Sequence, residues 1–180
     1  MKYNNWKVVG VGNLAPYYSD GRKSSRIPKL NPGRFFSPDV SYAFWMDTSI
    51  ILWLPVKEIA AQFLGTGSGK KAVLGATHHP TSISIINEAD HVMDAYHNKR
   101  RFVTLYPELL LQQKDAAEKY LSSYKDLRFN NVFEGAIFIQ DMKSPLTQRF
   151  RRRWFREYQK WADRDQISGG FVVAMRNYEF

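Results

Sequence analysis

The sequence predicts an α/β fold, a three-layer sandwich in which helices flank a central, mostly parallel or mixed β-sheet. Two observations support this prediction. Apolar runs of strand length alternate with segments whose apolar residues recur at helical spacing. The 180 residues also suffice for one domain with a substantial core, and no repeat or linker divides them, so we expect a single domain over residues 1–180.

The elements follow from the pattern along the chain. Strands are predicted at residues 6–11, 42–46, 49–54, 72–77, 131–140 and 171–175. Helices are predicted at residues 56–64, 86–101, 107–124 and 147–161. Pro55 opens the first of these helices and Gly65 can end it. Residues 13–38 are predicted to form a long ordered loop with one helical turn near residues 25–30.

Composition bounds the class of protein. The chain has no cysteine, which excludes a disulfide framework and any thiolate site and fits a reducing compartment. Its first residues lack the apolar core of a signal peptide, and no apolar run is long enough to span a membrane, so we expect a soluble, cytoplasmic protein. The net charge of +9 favours an anionic partner without identifying it.

An acid follows the most apolar predicted strand. Residues 42–46 lead directly into Asp47, and another apolar run comes after it. Ligands of open α/β sheets bind at the carboxyl ends of the strands. A carboxylate placed there needs a metal, a cation or a hydrogen-bond donor, although it could also simply cap a turn.

Other polar residues stand at comparable positions. His78 and His79 follow a strand, and only one of them can face a given pocket, because neighbouring side chains of extended backbone point oppositely. Arg26 and Lys29 are three residues apart, so one helical turn would bring them to one face, where they could bind two anionic oxygens or remain solvated. Glu134 precedes a glycine inside an apolar strand, where glycine permits close approach of another group.

Asp165 follows the aromatic-rich helix. It could cap the next segment, act as a base or accept a hydrogen bond from a sugar hydroxyl.

Two glycine-rich segments resemble nucleotide-binding loops, but the residues around them do not fit such loops. Residues 65–71 lack the spacing of a phosphate-binding loop, have lysine at the magnesium-binding position and follow a helix rather than a strand. Residues 10–15 match the loose dinucleotide fingerprint, but no amphipathic helix follows to receive the pyrophosphate.

Five arginines lie within the predicted helix at residues 147–161, between Arg149 and Arg156. They interleave with the apolar stripe of Phe150, Trp154, Tyr158 and Trp161, which is typical of a helix that buries its aromatic side chains and solvates its cations. The alternative function is a basic nucleic-acid-binding module that uses this helix, although no known nucleic-acid module accompanies it.

Six short motifs occur together and in order. They are Arg26-x-x-Lys29-x-x-Pro32, Trp45-Met46-Asp47, His79-Pro80 with Asn87-Glu88-Ala89, Glu134-Gly135, Trp154-x-x-Glu157, and Arg164-Asp165-Gln166-Ile167-Ser168. Over roughly residues 22–170 this order resembles the glycosyltransferase-like family known from plant mucilage- and pectin-associated proteins and from bacterial relatives. The chain is also similar to the amino-terminal domain of a chlorovirus glycosyltransferase that modifies a capsid glycan.

The resemblance implies a GT-A-like, nucleotide-sugar-dependent hexosyltransferase that moves a sugar from a nucleoside diphosphate donor, with UDP expected, to a glycan or glycoprotein acceptor. It implies that Asp47 matches the metal-binding acid that holds Mn²⁺ or Mg²⁺ on the donor diphosphate. It further implies that Arg26, Lys29, His79 and Gln166 lie on the donor or sugar side. If the reaction inverts the anomeric centre, Asp165 is the first candidate for the catalytic base and Glu134 the second. The viral relative implies capsid glycosylation in the host cytoplasm.

The chain departs from the family pattern in two places. Gly33 stands where the family usually has histidine, which removes one potential donor or ligand. The usual first strand, with its Tyr-Thr and Gly-Gly-Tyr-Asp pattern, is expected to be missing ahead of the region around Trp6. Because that strand helps to hold the nucleotide base in GT-A folds, we expect either an altered nucleotide affinity or a strand that lies outside this sequence.

Overall fold

The computed structural model describes residues 20–65, 72–82, 84–99, 104–123 and 132–176. In these ranges the elements are α1 (Gly21–Ser25), α2 (Ile27–Leu30), a short 3-10 helix (Pro32–Arg34), β1 (Tyr42–Met46), α3 (Val56–Leu64), β2 (Leu74–His78), α4 (Ile85–His97), α5 (Pro107–Ser123), β3 (Phe133–Asp141), α6 (Pro145–Lys160) and α7 (Asp165–Arg176). The predicted strand at residues 6–11, the glycine motif at 10–15 and most of the loop at 65–71 lie outside the described residues.

The three strands form one sheet in the order β1-β3-β2, and both pairings are antiparallel. The prediction of a mostly parallel or mixed sheet is therefore wrong for the described strands. Alternating strands and helices favoured parallel neighbours, but β3, which follows β1 and β2 in the chain, lies between them. Because both outer strands run antiparallel to β3, they run parallel to each other, and their carboxyl ends lie at one edge of the sheet.

Helices cover both faces of this sheet. Phe138 of β3 packs with Phe150, Trp154 and Tyr158 of α6 on one face. Its neighbour Ile139 packs on the other face with α3, as the alternation of strand side chains requires. The fold is thus α/β with helices on either side of a small antiparallel sheet. The α/β class is confirmed, and the GT-A-like sandwich stays a prediction.

The apolar stripe of α6 confirms the predicted aromatic helix. Phe150, Trp154 and Tyr158 are fully buried, whereas Trp161 lies just beyond the helix and is half-buried. The rings of Phe138 and Trp154 meet edge to face at 5.1 Å between centroids, a favourable aromatic geometry. This packing fixes α6 against the centre of the sheet.

The last predicted strand, residues 171–175, is instead part of helix α7. A short apolar run does not by itself distinguish a strand from a buried helix. The helix here depends on close packing at two glycines. A Cβ on Gly169 would lie 2.5 Å from the Phe133 ring, and one on Gly170 would lie 2.6 Å from Ile85.

The predicted strand at residues 49–54 is also wrong. The chain turns directly after Asp47, where the Ile50 amide donates to the Asp47 carbonyl at 3.0 Å. In the described residues this apolar run pairs with no strand of the sheet, and Trp53 is almost completely exposed. By contrast, α3 ends as predicted at Gly65, whose φ of 63° lies in the left-handed region.

None of the helices in the described ranges combines the length and apolar character that a membrane crossing requires.

Candidate active site

Three predicted site residues meet at one edge of the sheet because of its topology. Asp47 follows β1 and His79 follows β2, and both strands end at this edge. Glu134 lies at the start of β3, which runs the other way and therefore begins where its neighbours end. Backbone hydrogen bonds fix the arrangement, since the Asp47 amide donates to the Ala136 carbonyl at 2.9 Å and the His79 amide to the Val132 carbonyl at 3.1 Å.

A buried ion pair between Lys29 and Asp165 lies at the centre of the site. Lys29 is only 2% exposed, and its Nζ lies 2.5 Å from Asp165 Oδ2 and donates to the Gly135 carbonyl at 2.7 Å. The rings of Trp45 and Trp154 lie 5.7 and 5.9 Å from the same ammonium group. A buried charge is tolerated when it is paired and hydrogen-bonded, as this one is.

Arg26 adds a second cation to Asp165. Its Nε lies 3.7 Å from Asp165 Oδ1, and its side chain is 33% exposed, so one side of the guanidinium faces solvent. Burial alone would raise the pKa of Asp165, but Lys29, Arg26 and Arg164 outweigh that effect and hold the pKa below its usual value. Asp165 is therefore a charged structural partner of the cations in the folded protein.

The short helices α1 and α2 bring both cations to this place. Asp20 caps α1 by accepting a hydrogen bond from the Arg22 amide at 2.7 Å. The Gln140 side chain of β3 donates to the Lys29 carbonyl at 2.9 Å and ties α2 to the sheet. Arg26 and Lys29 thus act on one carboxylate, and the prediction that they share a face is confirmed.

Gly135 makes room for the ion pair. A Cβ at this position would lie 2.6 Å from Lys29 Nζ and 3.2 Å from Cγ of Gln166. The register also shifts here, because Ala76 pairs with Phe138 while Thr77 pairs with Glu134. Residues 135–137 therefore bulge toward α2 and α7, which explains the glycine inside an otherwise apolar strand.

His79 connects Glu134 to a second acid. Its Nδ1 accepts a hydrogen bond from the Ser82 amide at 2.8 Å, which assigns the ring proton to Nε2. That Nε2 lies 3.7 Å from Glu134 Oε2 and 3.5 Å from Glu88 Oε2. His78, by contrast, is exposed, as alternation along the chain predicted for one of the two histidines.

Glu88 and Arg164 are site residues that the sequence prediction did not assign. Glu88 is buried, and its two carboxylate oxygens accept hydrogen bonds of 2.6 Å each, one from Arg164 and one from Ser82. An acid on the buried face of α4, among Ile85, Ala89 and Val92, was the available signal. Gln166 completes this side, with its Oε1 3.4 Å from Arg164 Nη2.

Asp47 joins the group through Trp45. The Trp45 indole nitrogen donates to Asp47 Oδ1 at 2.8 Å, while its ring lies beside Lys29. Within the described ranges no cluster of three acidic, histidine or cysteine side chains could by itself hold a metal ion. A single carboxylate nevertheless fits Mg²⁺ or Mn²⁺, since such ions are commonly held by one or two carboxylates together with substrate phosphates and water.

The structure therefore brings together all seven predicted site residues, Arg26, Lys29, Asp47, His79, Glu134, Asp165 and Gln166. The arrangement has cations beside a sheet edge, a half-buried carboxylate and a potential metal ligand. Such a set of residues can bind an anionic group and can remove a proton from a second group that lies beside it.

Comparisons with known proteins identify the family of this chain. The family profile described as TOD1/MUCI70, glycosyltransferase-like domain matches residues 1–178. The chain is 30% identical over 171 residues to a protein of Arabidopsis thaliana named "Probable hexosyltransferase MUCI70". The match covers 93% of this chain but only 27% of that protein. No solved structure matches the sequence. Because the family profile spans nearly the whole chain, the chain belongs to the TOD1/MUCI70 glycosyltransferase-like family.

Proposed function

We propose that this domain transfers a hexose from a nucleoside diphosphate donor, with UDP expected, to a hydroxyl group of a glycan. The observation that carries the proposal is the convergence of Arg26 and the Lys29–Asp165 pair with Asp47 and Glu134 at one sheet edge. Family membership and the hexosyltransferase name of the plant relative support the same reaction class.

Stabilisation of the leaving diphosphate falls mainly to Arg26. Sugar transfer leaves negative charge on the diphosphate, and a preorganised cation lowers the cost of developing that charge. Lys29 is buried and already bonded to Asp165 and the Gly135 carbonyl, so its contribution is a fixed positive field. The partly exposed Arg26 can reach ligand oxygens while it keeps one side on Asp165.

Glu134 suits the role of the general base that takes the acceptor proton better than Asp165 does. An effective general base has a pKa near the working pH, whereas ion pairing keeps the pKa of Asp165 low. Glu134 keeps 29% of its side chain exposed and lies next to the His79 Nε2–H. We therefore propose Glu134 as the base of an inverting reaction and Asp165 as the residue that positions Arg26 and Lys29.

Asp47 supplies the carboxylate for a divalent cation. Mn²⁺ or Mg²⁺ bound there would neutralise charge on the donor diphosphate. Trp45 orients the carboxylate by holding Oδ1, which leaves Oδ2 for a ligand. His79 and Gln166 then border the space in which the transferred sugar would lie, where their polar side chains can bind its hydroxyls.

Calorimetric titration tests this proposal directly. UDP, GDP and their common sugar conjugates are titrated with and without Mn²⁺, using the wild type and the Asp47→Ala variant. We expect metal-dependent binding of one nucleotide that Asp47→Ala abolishes while the protein stays folded. Asp115→Ala, which removes an exposed acid from α5, serves as the matched control.

Two results would reject the proposal. One is no binding of any nucleotide to the folded wild type. The other is metal-dependent binding that Asp47→Ala leaves unchanged, which would remove Asp47 from the donor site.

A cytoplasmic location and a role in capsid glycosylation stay predictions from the sequence.

A further inference from the structure

A second basic site lies on α6, outside the candidate active site. A cavity of about 210 Å³ is lined by Asn31, Arg151, Arg152, Phe155, Arg156 and Gln159. None of these residues takes part in the contacts around Lys29 and Asp165 described above. The cavity therefore needs an explanation of its own.

The cavity follows from the periodicity of α6 and from the segment that packs beside it. Phe150, Trp154 and Tyr158 point into the core, so residues one position later in each turn flank that buried stripe. The chain after α2 forms the opposite wall at Asn31. Gly33 follows in the same segment, and even a Cβ there would make only ordinary van der Waals contact with Arg151 Nη1, at 3.4 Å.

Among the described residues, the cavity has no acidic partner for its arginines. The lining contains three arginines and no carboxylate, and among the described residues none of the three forms an ion pair with an acid. Burial and the neighbouring Arg152 lower the pKa of Arg151. Its buried Nε has no hydrogen-bond partner within the described part of the chain, and its Nη1 donates to the sulfur of Met142, which is a weak acceptor. A bound anion would satisfy these groups.

The other lining residues favour a sugar as the carrier of that anion. Phe155 offers an aromatic surface for the apolar face of a sugar ring, and the amides of Asn31 and Gln159 can bind hydroxyl groups. Arginine binds a carboxylate through two parallel hydrogen bonds. The cavity is smaller than sites of about 300–1,000 Å³ that hold drug-sized ligands, so it suits one monosaccharide unit.

We propose that this cavity binds an acidic sugar residue of the acceptor glycan through its carboxylate. That this sugar belongs to the acceptor rests on the proposed function. That the cavity binds an acidic sugar does not depend on it. A nucleic acid would instead need a longer track of phosphate contacts than one cavity provides. The test must therefore distinguish nucleic-acid binding from the binding of an acidic sugar.

The test compares two ligands that differ only in charge. An oligosaccharide of uronic acids and its fully methyl-esterified form are titrated into the protein without any donor. We expect binding of the acid form and little binding of the ester. Arg152→Gln and Arg156→Gln should each weaken binding about fivefold, as expected for a charge-assisted contact made by an exposed side chain. Arg149→Gln removes the same charge from the same helix outside the cavity and should leave binding nearly unchanged.

Several results would overturn the proposal. Equal binding of the acid and the ester, or equal losses in all three arginine variants, would mean that no specific carboxylate site exists. Displacement of the uronate by UDP through Arg152 and Arg156 would make the cavity part of the donor site. Binding of a single-stranded oligonucleotide that depends on these arginines, without uronate binding, would make it a nucleic-acid surface.

The outcomes also separate the two proposals. Uronate binding without any nucleotide binding would reject the transferase reaction and leave the cavity assignment intact. Metal-dependent nucleotide binding without uronate binding would reject the cavity assignment and leave the transferase proposal intact.

Discussion

At the scale of single residues, the buried Lys29–Asp165 pair gives a prediction about stability. Replacing Asp165 with Asn would leave the Lys29 ammonium buried without a counter-charge. Removing one partner of a buried pair costs about 3–5 kcal/mol of unfolding free energy. We expect a loss of that size for Asp165→Asn in urea denaturation at pH 7, and a change near zero for the exposed Asp115→Asn.

The effect of Asp165→Asn on the free energy of unfolding should depend on pH. Because the pKa of Asp165 is lower in the folded protein than its unfolded value of about 3.9, the pair contributes its full stability above that pH. This contribution is lost as the pH falls through the folded-state pKa. The difference in unfolding free energy between wild type and Asp165→Asn should therefore shrink below about pH 4. A difference that stays constant down to pH 3 would contradict the assigned charge state.

Glu134 gives a kinetic prediction that separates it from Asp165. Glu134→Gln keeps the shape of a half-buried side chain but removes the base, so kcat should fall by roughly 10²–10⁴-fold, the typical contribution of general base catalysis. The affinity for the donor nucleotide and the urea midpoint should change little. Unaltered kcat in a folded Glu134→Gln protein would return Asp165 to the role of base.

At the scale of elements, the bulge at Gly135 connects sheet geometry to the ion pair. Gly135→Ala would place a Cβ 2.6 Å from Lys29 Nζ, which forces the ammonium group or the strand to move. Overpacking of this kind costs about 1–3 kcal/mol. Gly21→Ala is the matched control, since a Cβ there meets nothing within 4 Å. Comparable stability of the two variants would show that the site has more room than its geometry indicates.

The sequence predicted those elements whose pattern is long. The helices at residues 107–123 and 145–160 have several turns of periodic apolar residues, and both occur close to the predicted bounds. The apolar runs at 49–54 and 171–175 are too short for periodicity to decide. Packing decided them instead: Gly169 and Gly170 fit a helix against Phe133 and Ile85, whereas nothing in the described residues pairs with Ile51 or Trp53.

At the scale of the whole molecule, the sequence predicted which polar residues lie near one another better than it predicted the sheet that carries them. The structure places the seven residues that the ordered motifs singled out near one edge of the sheet, and their roles stay predictions. The strand order β1-β3-β2 could not be predicted, since local pattern does not reveal which strand inserts between two others. Glu88 was missed for a related reason: only its neighbours in space, Ser82 and Arg164, show that it belongs to the site.

The central position of β3 has a consequence for how the protein is made. In the described sheet, β1 and β2 have no partner except β3, which begins at Phe133. Within the described sheet, both earlier strands therefore lack their partner during synthesis until β3 emerges from the ribosome. Glu134 and Asp165 arrive in that same late segment, so the reactive centre and the sheet are completed together. A nascent chain stopped before residue 132 would therefore lack both and expose strand edges that are prone to aggregation.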